Sequence, residues 1–154
     1  MTNAIETRLA ELGLALPDSP APQANYVPFV TVGKLVFVSG QVSMDADGFI
    51  KGVLGDTMSV EEGAAAARLC GLSLLAQAKA ACGGDLSKLK RVVKLTGFVN
   101  STKDFGDQPK VVNGCSDLLV EVLGDAGRHS RSAVSAGALP FGVAVEIEGI
   151  FELH

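Results

Sequence analysis

A long, capped, small-residue-rich segment in the middle of the chain constrains the fold most. Ser59-Val60-Glu61-Glu62 has the form of a capping box, in which the first and fourth residues satisfy each other's backbone N–H groups. The helix that it opens is predicted to end at Gly83-Gly84. Its residues Gly63, Ala64, Ala67 and Gly71 would allow close approach to a sheet, and Leu69, Leu72 and Leu75 form an apolar stripe.

The segments around this helix alternate between strand-like and helix-like patterns. Strand-like segments cover residues 30–32, 35–38, 49–53, 92–99, 131–138 and 143–153, and a second helix is predicted from near Asp107 to Gly124. The order β-β-(β)-α-β-α-β-β predicts an α+β domain with a mixed sheet and both helices on one face. Because the strands are apolar on both faces, we expect other subunits to cover the open face.

A short helix and a proline-rich connector precede this domain. Residues 3–12 are predicted to be helical, with Asn3 as the N-cap and Glu6 three residues later. The connector contains Pro17, Pro20, Pro22 and Pro28. The chain of 154 residues is therefore interpreted as a single domain, in which residues 1–24 are an N-terminal helix and connector.

Composition and charge exclude several classes of protein. With 47% apolar and 19% charged residues, the chain does not have the composition of a disordered protein. The most apolar stretch, residues 63–82, is interrupted by Arg68, Gln77 and Lys79, so we expect no membrane span. Charged residues near the N-terminus argue against a signal peptide. A net charge of −4 argues against nucleic-acid binding. Three cysteines without metal-ligand spacing, Cys70, Cys82 and Cys115, indicate buried reduced thiols and a cytoplasmic protein.

Two charged groups near the C-terminus are the main candidates for chemistry. Arg131, at the start of a strand, is suited to holding a carboxylate or phosphate in one plane, although an isolated arginine there is more often a solvated edge residue. Glu146 and Glu148 point to one face of the last strand. On an exposed face this is ordinary polar alternation. Under a neighbouring subunit, one of the two carboxylates would be desolvated and could act as a base toward water. The turn at residues 139–142 would allow the two strands to pair as an antiparallel hairpin. His129 is the one internal histidine, and such loop histidines are more often surface groups than catalysts.

Several segments share their order and spacing with one known family. They are Leu35-Val36-Phe37-Val38-Ser39-Gly40-Gln41, Val112-Asn113, Arg131-Ser132-Ala133-Val134, Leu139-Pro140 and Val145-Glu146-Ile147-Glu148. Together they resemble the Rid family, also called YjgF/YER057c/UK114 or "endoribonuclease L-PSP", from about residue 25 to the end. The chain departs from the imine-hydrolysing group at Ala24-Asn25, where Gly-Pro is usual, and at Ala138, where arginine is often found.

The resemblance implies a chorismate-mutase-like fold, a homotrimer with clefts between subunits, and a cofactor-free reaction. Arg131 would bind the carboxylate of a small substrate, and Glu146 would position or activate water. Tyr26, Ser39 and Asn113 would line the cleft. The implied reaction is hydrolysis of 2-imino acids or enamines, such as 2-aminoacrylate, to 2-oxo acids and ammonia.

Two other functions compete with a deaminase. The first is a non-catalytic trimer that senses small carboxylate metabolites, for which Arg131 would serve equally well. The second is the ribonuclease in the family's older label, which the acidic charge and the single tyrosine disfavour. No nucleic-acid or membrane partner is expected.

Overall fold

The computed structural model describes residues 3–19 and 25–154. The first helix, α1, spans Ala4–Glu11, and the Asn3 side chain accepts the N–H of Glu6 as predicted. An ion pair of 2.9 Å between Glu6 and Lys79 ties α1 to the long helix described below. The predicted connector lies partly outside the described residues, because Pro20 and Pro22 fall within residues 20–24.

The remaining elements follow the predicted order closely. They are β1 (Phe29–Val32), β2 (Leu35–Val42), β3 (Met44–Asp45), β4 (Gly48–Phe49), α2 (Val60–Ala81), β5 (Leu89–Asn100), α3 (Gln108–Leu123), β6 (Ser130–Ala136) and β7 (Val145–Leu153), with short 3-10 turns at Leu86–Lys88, Gly124–Gly127 and Pro140–Gly142. The capping box at Ser59 and Glu62 is present, so the sequence signal for the start of α2 is confirmed.

Five strands form one mixed sheet in the order β1-β2-β7-β5-β6. β5 and β6 pair in parallel, whereas β7 pairs antiparallel with both β2 and β5. The predicted hairpin between the strand of Arg131 and the strand of Glu146 is therefore wrong, because β5 lies between them. The 3-10 turn at Pro140–Gly142 leads the chain across β5 rather than back along β6.

The predicted third strand at residues 49–53 is also corrected. Only Gly48–Phe49 is extended, and it pairs with Met44–Asp45 in a separate two-stranded hairpin. Beyond it, the backbone forms only isolated bridges, such as the one between Lys51 and Val143, and the N–H of Val53 bonds to the Thr57 hydroxyl at 2.9 Å. These bonds turn the chain toward α2 and prevent a longer ladder.

Both long helices cover the same face of the sheet, as predicted. The small residues of α2 permit a close contact with α3 in addition to the sheet: a Cβ at Gly114 of α3 would overlap the carbonyl oxygen of Ala64, and a Cβ at Gly71 would lie 2.8 Å from Leu118. The prediction that these small residues allow close approach to the sheet is therefore incomplete, because they also allow close approach to α3. None of the described helices is both long and apolar enough to cross a membrane.

The other face of the sheet is open and rich in apolar side chains. Val30 and Val32 of β1 lie opposite Phe37 and Leu35 of β2, and all four are exposed. Val134 of β6 is exposed as well. The structure thus has the uncovered apolar face that the element order predicted.

Candidate functional site

Arg131 lies on the helix-covered face of the sheet. Its register partner in β5 is the fully buried Leu95, and residues in register share a face. The guanidinium reaches α3, where Nη1 donates to Ser116 Oγ at 3.0 Å and Nη2 donates to the carbonyl oxygen of Pro109 at 3.2 Å. Two hydrogen bonds leave three of the five guanidinium N–H groups for another acceptor.

A shallow cavity of about 240 Å³ adjoins this guanidinium between α3 and β6. We call it the α3–β6 groove; its lining residues are Asn113, Ser116, Val120, Arg128, His129 and Arg131. Asn113 and Ser116 share one face of α3 because they are three residues apart. The groove therefore unites two predicted site residues, Asn113 and Arg131, and its second arginine, Arg128, is in an ion pair of 3.2 Å with Asp125.

His129 is held in this groove by two hydrogen bonds. Its Nδ1 lies 2.6 Å from the Gly127 carbonyl oxygen and its Nε2 lies 2.9 Å from Ser116 Oγ. Burial lowers the pKa of His129, the bond to Gly127 opposes this shift, and the charge of Arg131 adds to it. The ring is therefore neutral near pH 7.

Glu146 lies on the open face, opposite the face that carries Arg131. Its neighbours Val145 and Ile147 are fully buried under the helices, so the Glu146 side chain points the other way. It packs against Gly40 of β2, where a Cβ would lie 3.0 Å from its carboxyl carbon. Burial, and then repulsion by Glu148, raise the pKa of Glu146.

Ser39 precedes Gly40, the residue against which Glu146 packs. Ser39 Oγ donates to the carbonyl oxygen of Val27 at 2.8 Å and so fixes the segment that carries the exposed Tyr26. We call Tyr26, Ser39 and Glu146 the β2 group. Because β5 lies between β7 and β6 and the side chains of Glu146 and Arg131 point to opposite faces, the five predicted site residues fall within one chain into two separate groups, which we call the half-sites.

Ser116 is the residue that sequence reasoning missed. Its spacing from Asn113 on α3 was the available signal. The cysteines carry no such chemistry: Cys70, Cys82 and Cys115 are free and buried, and burial raises the pKa of Cys115 to about 12 although Arg131 opposes the shift. In the described part of the chain, no three His, Cys, Asp or Glu side chains are grouped to hold a metal ion.

Comparisons with known proteins agree on one family. Residues 6–150 match the family model described as "YjgF/chorismate_mutase-like, putative endoribonuclease". Protein TCP17 of Trypanosoma cruzi is 47% identical over 97% of this chain and 94% of its own length. The crystal structure of Atu1372 from Agrobacterium tumefaciens is 47% identical with a TM-score of 0.90, covering 98% of this chain and 94% of that one. Escherichia coli TdcF with bound serine is 26% identical with a TM-score of 0.59, covering 87% and 92%.

Proposed function

Because this chain belongs to the YjgF/chorismate_mutase-like family, we propose that it is a cofactor-free deaminase that hydrolyses 2-imino acids and their enamine tautomers to 2-oxo acids and ammonia. The observation that carries the proposal is the anchored guanidinium of Arg131 at the wall of an open groove. Serine, which is bound to the relative TdcF, has the same carboxylate and α-nitrogen as a 2-imino acid. A fixed planar cation is the group that grips such a carboxylate in two-point fashion.

In the proposed reaction, Arg131 binds the substrate carboxylate and fixes the position of carbon 2. Water held by the Glu146 carboxylate adds to the protonated imine carbon, and the proton of that water passes to Glu146. Glu146 returns that proton to the nitrogen of the tetrahedral adduct. Collapse of the adduct then breaks the C–N bond and forms the carbonyl, and its hydroxyl proton leaves with the ammonia as ammonium. Orientation and electrostatic stabilisation supply most of the acceleration.

The separation of the half-sites supports a site that is shared between two copies of the chain. Arg131 and Glu146 lie on opposite faces of one sheet, and β5 separates their strands. A head-to-tail contact joins the groove of one subunit to the β2 group of the next, and contacts of this kind close into rings. We propose a homotrimer, whose interior would cover the apolar open face.

Assembly can be measured directly by light scattering. At micromolar concentration we expect the mass of three chains, and we expect Phe37→Glu on the open face to lower that mass because the charge would be buried against a neighbour. A stable monomer of the unaltered protein would contradict both the trimer and the shared site.

The deaminase itself is tested by generating imines in place. An amino-acid oxidase or a PLP-dependent dehydratase supplies the imine, and semicarbazide traps what remains. We expect this protein to suppress semicarbazone formation and to accelerate 2-oxo acid release. Decay at the uncatalysed rate would contradict the proposal.

A carboxylate sensor is the second candidate, and one observation favours it. Within one chain the groove has a carboxylate-binding arginine but lacks the Glu146 carboxylate. Saturable binding of 2-oxobutanoate without any acceleration of imine decay would support the sensor and contradict the enzyme.

Both functions depend on the shape of the Arg131 side chain. Lysine keeps the charge but cannot donate to two carboxylate oxygens in one plane, so Arg131→Lys should weaken 2-oxobutanoate binding about tenfold to 100-fold, or about 1.5–3 kcal/mol. Calorimetric titration measures the change. Arg68→Lys, in an exposed ion pair with Glu121, is the matched control and should bind normally. Equal affinity of both variants would contradict a carboxylate clamp.

A further inference from the structure

The α3–β6 groove contains a histidine that the deamination does not use and a serine that serves it only by accepting a hydrogen bond from Arg131. Ser116 Oγ lies 2.9 Å from His129 Nε2, and His129 Nδ1 lies 2.6 Å from the carbonyl oxygen of Gly127. A carbonyl oxygen can only accept, so Nδ1 must carry a hydrogen. In the neutral ring, Nε2 is then an acceptor, and the Ser116 hydroxyl donates its hydrogen to it.

This arrangement has the three parts of an activated nucleophile. Ser116 is the nucleophile, His129 is a base within hydrogen-bond reach, and the Gly127 carbonyl fixes the tautomer and orientation of the base. Arg131 adds a fourth contribution, because its Nη1 donates to the same Oγ at 3.0 Å. A cation at that distance stabilises the negative charge that develops on Oγ when the hydroxyl proton leaves.

The surroundings of Ser116 determine which substrate could approach. Ser116 and His129 both line the open groove, so a small molecule can reach them. The unused N–H groups of Arg131 favour a negatively charged substrate, whereas the charge of the exposed Arg128 is offset by an ion pair of 3.2 Å with Asp125. The amide of Asn113, on the same face of α3, is a further donor toward an oxyanion.

We propose that Ser116 is the nucleophile of a second activity in this groove, the hydrolysis of small esters that carry a carboxylate, with His129 as its base. Ser116 Oγ attacks the ester carbonyl carbon and its proton passes to His129 Nε2. The C–O bond to the alcohol breaks and the alcohol leaves with that proton. Water, deprotonated by His129, then attacks the acyl carbon. The bond from that carbon to Ser116 Oγ breaks, Oγ recovers a proton from His129 Nε2 and the acid leaves, so that one ester and one water give one acid and one alcohol.

Diisopropyl fluorophosphate tests the nucleophile in the unaltered protein. Attack by Ser116 Oγ forms a P–O bond, breaks the P–F bond and transfers the serine proton to His129, with loss of fluoride. We expect one adduct per chain, located by peptide mass spectrometry at Ser116. His129→Gln should be labelled at least about 100-fold more slowly, because the base is lost.

A matched control and a turnover assay complete the test. Ser130→Ala removes an exposed serine of β6 whose hydroxyl donates to the Val93 carbonyl oxygen, and it should be labelled at the normal rate. The intact protein, but not Ser116→Ala, should release 4-nitrophenol from 4-nitrophenyl succinate. The proposal is overturned by an unlabelled Ser116, by equal labelling of His129→Gln, or by ester hydrolysis no faster than in Ser116→Ala. None of these readouts depends on Glu146 or on imine hydrolysis, so the two proposals fail separately.

Discussion

Replacing Gly114 with alanine is expected to lower the free energy of unfolding by about 3 kcal/mol or more. The added Cβ would overlap the carbonyl oxygen of Ala64 in α2, and a helix backbone cannot move aside as a flexible side chain can. Overpacking in cores typically costs about 1–3 kcal/mol, and a backbone clash lies at the upper end of that range. Urea denaturation followed by circular dichroism measures the loss.

Gly106 provides the matched control. A Cβ at this position would meet nothing within 4 Å, and its φ is not in the left-handed region. Gly106→Ala should therefore change the free energy of unfolding by less than about 0.5 kcal/mol. If the two variants were equally stable, the close contact between α2 and α3 would not be a requirement of this fold.

That contact also illustrates which parts of the fold the sequence predicts. The start of α2 is a local signal, since Ser59 and Glu62 bond to each other's backbone, and it was predicted correctly. The partner of the small α2 residues is not local: Ala64 meets Gly114, 50 residues later, and the contact depends on how both helices lie on the sheet. The sequence pattern showed that something approaches closely, but not what.

Strand pairing shows the same difference between local features, which the sequence predicts, and long-range contacts, which it does not. The alternation in β7 correctly predicted that Glu146 and Glu148 share a face. Periodicity determines which side chains of one strand share a face, but it does not determine which strands are neighbours in the sheet. The insertion of β5 between β7 and β6 is a long-range result, and it separates Arg131 from Glu146 despite their proximity in the chain.

The candidate site was predictable in part for the same reason. The resemblance supplied Asn113 and Arg131, which the structure brings together. Ser116 was missed because helical spacing alone does not show which face of α3 meets β6. For His129 the sequence favours a surface group over a catalyst, and only the folded chain shows its bonds to Ser116 and Gly127.

The raised pKa of Glu146 predicts the pH dependence of imine hydrolysis. Only the carboxylate can take a proton from water, so activity should rise with pH through the Glu146 pKa, which lies above the ordinary glutamate value. Repulsion by Glu148 is the second cause of the shift, so Glu148→Gln should move the acid limb of kcat/KM to lower pH. Glu152→Gln, on the same face but paired with Lys90 at 3.0 Å, is the control and should leave the limb in place. If the acid limb of kcat/KM did not move in Glu148→Gln, the group that titrates in that limb would not be Glu146.

Glu146→Gln is expected to remove imine hydrolysis while leaving carboxylate binding intact. Glutamine has nearly the same shape as glutamate, so its contact with Gly40 can persist, but the amide cannot accept a proton from water. Loss of a general base typically lowers the rate about 10²–10⁴-fold. The coupled oxidase assay measures turnover, and calorimetry with 2-oxobutanoate measures binding to Arg131.

The two measurements together distinguish the functions. An enzyme loses turnover in Glu146→Gln and loses binding in Arg131→Lys, because the two groups belong to different half-sites and do different things. A sensor has no turnover to lose, so only Arg131→Lys should change its binding.

Mixing the two variants adds a test of the shared site: if Glu146 of one subunit serves Arg131 of the next, mixed trimers contain some clefts with both native groups. Equal parts of the inactive variants, unfolded and refolded together, should then recover part of the activity, whereas a site built within one chain would recover none.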